Sequence, residues 1–87
     1  MKTYASNAAY FEELSGLAMR MQLSGHSEAA SAVRHGVSLV NGLTDGWAHL
    51  MDSLESTIEL HGDRLPTDQI DDLCSAFEAA RKAVYRL

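Results

Sequence analysis

Apolar residues recur every three or four positions in three stretches of this chain. Phe11, Leu14, Ala18 and Met21 form the first stripe. Ala30, Val33, Val37, Val40, Thr44, Trp47, Met51, Leu54 and Ile58 form the second, and Ile70, Leu73, Phe77, Ala80, Val84 and Leu87 the third. Because an α-helix turns once in about 3.6 residues, this spacing lines the side chains up on one helical face. The three stripes predict an all-α fold, a small helical bundle in which each helix packs through one seam. No strand-like alternation, internal repeat or low-complexity tract competes with that reading.

Capping residues set the boundaries. Ser6 is placed to cap a first helix over 7–23, and Ser24-Gly25 to stop it, glycine being free to take the left-handed conformation past a helix end. Tyr10 and Leu17 widen its stripe into a core face. Ser27 is placed to cap the second helix, with Glu28 at the positive end of its dipole and a small-residue opening, Ala29 to Ala32. His61-Gly62-Asp63 and Pro66 close the middle of the chain, since proline cannot continue a helix. Thr67 then caps a last helix over 67–86. Asp68, Asp71 and Asp72 lie near its start and Arg81, Lys82 and Arg86 near its end, complementing the dipole.

The stretch between Gly36 and Gly46 supports two readings. Gly36, Gly42 and Gly46 each cost about 1 kcal/mol relative to alanine inside a helix. Asn41-Gly42 reads as a stop and Thr44-Asp45 as a fresh start, which gives helices over 27–41 and 45–61 and four helices in all. The apolar register nevertheless crosses the glycines without a phase change. It therefore predicts one long helix over 27–61, kinked near Gly42, in a three-helix bundle. Such a helix would span about 50 Å. One short chain cannot cover a seam of that length, so association is expected, as a homodimer or as a subunit of a hetero-complex. Val37, Val40, Trp47, Met51 and Leu54 are the expected interface.

Composition narrows the setting. Eighty-seven residues make one domain, 1–87, with a modest core. The net charge of −5 is concentrated in residues 52–78, where Arg64 alone opposes the acidic side chains. That balance repels phosphates and argues against direct nucleic-acid binding. It leaves Asp52, Glu55 and Glu59 as an acidic docking face for a basic surface, such as the nucleic-acid groove of another protein. A single cysteine, Cys74, makes no internal disulfide. Glu12 and Glu13 interrupt what a leader peptide would keep apolar, and no apolar run approaches the about 20 residues of a membrane span. A cytoplasmic protein without membrane attachment is expected.

Candidate chemistry is sparse. Asp45, His49 and Asp52 share a helical face, and carboxylates around an imidazole suit a divalent metal. Metal sites in bundles draw ligands from several helices, however, so a solvated polar face is the plainer reading and no metal is expected. His26, His35, His49 and His61 are scattered, and His35 sits in no phosphotransfer motif. Cys74 lacks a designated base, so a small half-buried hydrophobe is expected there. Ser38, Gly42 and Gly46 recur every fourth residue, a groove for a partner helix or a helix break. Trp47, Tyr4, Tyr10 and Tyr85 are residue types that anchor interfaces, with Trp47 expected in the core, and Met19, Met21 and Met51 add adaptable apolar surface. The expected function is a non-enzymatic protein–protein interaction module without a cofactor. The alternatives are an acidic inhibitor or mimic and a metal-binding helical protein.

Overall fold

The computed structural model describes residues 4–40 and 46–85, and all regular structure among them is helical. The elements are α1 (Asn7–Leu23), α2 (Ser27–Ser38), α3 (Gly46–His61), a short 3₁₀ turn (Gly62–Arg64) and α4 (Thr67–Tyr85). Ser6 caps α1 as its sequence position suggests, its hydroxyl accepting the Ala9 N–H at 3.1 Å. The Ser24 N–H bonds back to the Arg20 carbonyl, and Gly25 takes a φ of +87°, a region open to glycine at little cost. Ser27 is the first helical residue rather than the cap. His26 holds the cap position without a side-chain bond. At α4 the Pro66 carbonyl accepts the N–H groups of Gln69 and Ile70, so the helix begins one residue earlier than a Thr67 cap implies.

The long middle helix does not form. Helix α2 ends at Ser38, where the chain tightens. The Leu39 N–H bonds to the Gly36 carbonyl at 3.2 Å, the Val40 N–H to the Val37 carbonyl at 3.1 Å, and the Ser38 hydroxyl to the His35 carbonyl at 2.6 Å. Asn41, Gly42, Thr44 and Asp45 lie outside the described residues. Helix α3 then runs back along α2. A Cβ placed on Gly36 would stand 2.8 Å from the Ser53 Cβ, so the glycine is required by the close approach of the two helices. Breaking the helix lets one chain bury both halves of the seam against each other. The uninterrupted register is compatible with this, because both arms of the hairpin face the same core. A straight helix of about 50 Å would also exceed the longest dimension of the molecule, 35 Å.

Helices α1 and α4 run antiparallel. Tyr10, early in α1, meets Ala76 late in α4, and Arg20, late in α1, meets Asp68 and Asp72 early in α4. The result, among the described residues, is a bundle of four helices, the alternative that the glycine run had left open. Leu14, Leu17, Met21, Val33, Leu50, Leu54 and Leu73 fill its centre, and Ala18, Ala30, Ala76 and Ala80 let the helices approach closely.

Candidate functional site

Helix α3 and the end of α2 carry the residues expected at an interface. Leu54 is wholly inside the bundle at 0% exposure. Val37, Val40, Trp47 and Met51 are half-buried and pack against the same core. Trp47 lies 5.6 Å from the Tyr10 ring and 5.4 Å from the Phe11 ring, and Tyr4 meets Tyr10 edge-on at 4.9 Å. These rings close one end of the bundle. The Tyr10 hydroxyl donates to the Ala76 carbonyl at 2.7 Å, and burial, with Tyr4 alongside, holds its phenol well above the usual range.

Asp52, Glu55 and Glu59 are exposed, on the side of α3 opposite Leu50, Leu54 and Thr57. They form a solvated acidic ridge. His49 is also exposed, whereas Asp45 lies outside the described residues. Among the described residues no three His, Cys, Asp or Glu side chains converge as a metal site would require. Cys74 is exposed, not half-buried. It points away from Leu73 and Ala76, which face the core. His26 and His61 come together with Arg64 in an open depression at the start of α2, while His35 is exposed elsewhere on that helix. Ser38 and Gly46 fall on different helices, Ser38 exposed and Gly46 buried, and Gly42 lies outside the described residues. The small-residue spacing therefore does not form one strip on one helix.

Helix α1 carries a surface that the core stripes conceal. Met19 is 59% exposed and Leu23 82%. They continue a line through Ala9, Glu12 and Gly16 that keeps alternating steps of three and four on the side away from the core. A shallow depression opens over Gly16, bordered by Ala9, Glu12, Glu13, Leu17 and Arg20. A Cβ built on Gly16 would meet nothing within 4 Å. Arg20, at one edge, donates to the carboxylates of Asp68 and Asp72 on α4. In the sequence this surface shows only as Met19 and Leu23, a pair too short to read as a stripe.

No protein-family model matches this chain, and neither curated proteins nor solved structures provide a match. No helix among the described residues is long and apolar enough to cross a membrane.

Proposed function

We propose that this protein is a non-enzymatic protein–protein interaction module that acts as a homodimer or as a subunit of a hetero-complex. One observation carries the reading. Helix α1 buries Tyr10, Leu14, Leu17, Ala18 and Met21 in the core and turns two large apolar side chains, Met19 and Leu23, outward among polar neighbours. Set four residues apart on one side of the helix, they make an apolar spot that a partner would cover. Val37, Val40, Trp47 and Met51 keep part of their surface and contribute to a contact at the other end of the molecule. Leu54 has none to offer unless the bundle opens. Light scattering on the purified chain across the micromolar range, with affinity purification from its own cell, tests the module. A mass that stays monomeric, with no protein co-purifying, would refute it.

The exposed ridge of Asp52, Glu55 and Glu59 favours a second reading, an acidic inhibitor or mimic that occupies a basic site on a nucleic-acid-handling protein. Reversing these three charges should then abolish binding to that partner, and added salt should weaken it steeply. Binding unchanged by a roughly tenfold rise in salt excludes the mimic. A metal-binding role would use Asp45, His49 and Asp52, of which Asp45 lies outside the described residues. Metal analysis of the purified protein showing no stoichiometric divalent ion would exclude it.

A further inference from the structure

We infer that two copies of this chain pair through the outer faces of α1, antiparallel, with Gly16 of each copy at the two-fold axis. The inference rests on the interaction-module reading and specifies its surface and its occupant.

Gly16 is the starting point. A glycine inside a helix sacrifices helix propensity, and the fold of the single molecule does not ask for one here. Other glycines have their reasons in the fold: Gly25 has a positive φ, and Gly36 faces the Ser53 Cβ at 2.8 Å. At Gly16 an added Cβ meets open space. A glycine facing outward in mid-helix suits a second backbone that approaches from outside.

The neighbours of Gly16 say which backbone. Ala9, Glu12, Gly16, Met19 and Leu23 follow one another at steps of three, four, three and four, the seam spacing of two packed helices. An antiparallel copy centred on Gly16 sets Leu23 of each chain over Ala9 of the other, a large side chain against a small one. It also sets Glu12 of each chain opposite Arg20 of the other. Two of the guanidinium's five N–H groups go to Asp68 and Asp72, and others are left for a further carboxylate. A parallel pairing would instead put Glu12 against Glu12 and Arg20 against Arg20. Of the two arrangements, the antiparallel one sets opposite charges against each other, as a two-fold interface favours. One helix face against its copy falls at the low end of the roughly 1,200–2,000 Å² that stable complexes bury, so dissociation in the micromolar range is expected.

Sedimentation velocity over a concentration series, on the wild-type chain, Gly16→Glu and Leu23→Glu, tests the proposal. The wild type should shift from monomer to dimer, and each variant should weaken dimerisation by about tenfold or more. Both substituted positions are exposed, so circular dichroism should report unchanged helix content, and Gly16→Ala should raise the melting temperature of the dilute protein. Dimers of equal strength in all three proteins would overturn this surface and leave self-association standing. A wild type that stays monomeric throughout would overturn the homodimer altogether. Capture of a different partner by that monomer would still leave the broader module reading intact.

Discussion

Two glycines twenty positions apart carry opposite expectations. Gly36 lies under Ser53 and Leu50, and any Cβ there forces α2 and α3 apart. Gly36→Ala should destabilise the fold by about 1–3 kcal/mol. Gly16→Ala, with open space around the new methyl group, should stabilise it by about 0.5–1 kcal/mol. Thermal melts of the two variants in dilute solution check both signs. Tyr10 offers a third residue-scale test. Its phenol is buried and its hydroxyl donates to Ala76, so Tyr10→Phe should cost about 1 kcal/mol near neutral pH. Burial raises the folded-state pKa above the ordinary value of 10.0, so the neutral phenol is the form the fold keeps. That stability is complete below about pH 10 and declines as pH rises further, because the unfolded chain gives up the proton first. Tyr10→Phe should therefore flatten the fall of melting temperature with pH above 10. An unchanged slope would place the alkaline sensitivity elsewhere.

At the scale of elements, both ends of α1 and the start of α4 are legible because their punctuation is local. Ser6, Ser24-Gly25 and Pro66 act within a turn or two of themselves. The break between α2 and α3 was readable as an option and lost to the apolar register. Periodicity reports which face is buried and says nothing about whether the chain continues or folds back onto the same core. What decided it was the contact between Gly36 and Ser53, a tertiary fact that spacing alone does not encode. The same limit applies to the interface. Trp47 and Leu54 have the chemistry of a contact surface, and the hairpin spends much of that chemistry on the chain's own interior. Leu54→Ala should accordingly cost about 2–5 kcal/mol in a denaturant titration, the range for a filled core position. Exchanging Glu55 or Glu59 for glutamine on the opposite side of α3 should change stability by no more than about 0.5 kcal/mol. Equal costs at the two faces would mean that α3 is turned differently in the bundle.

For the whole molecule, self-pairing through α1 leaves the acidic ridge of α3 open, because α1 and α3 sit on opposite corners of the bundle. A dimer would then present two such ridges, and a basic partner would not compete with dimerisation. Salt should separate the two events. Contacts of Asp52, Glu55 and Glu59 with a partner are screened within about 10 Å at 0.1 M salt and should weaken more steeply than the α1 pairing, which adds leucine and methionine packing to its Glu12–Arg20 pairs.

The placement of Gly16 on the axis can be read directly by cross-linking. In a Cys74→Ser background, Gly16→Cys should give a disulfide-linked dimer on mild oxidation, because two thiols at a two-fold axis come within bonding reach. Glu55→Cys, equally exposed on α3, should remain a monomer under the same treatment. Cross-linking that is equally slow at both positions would contradict the pairing of α1 with its copy.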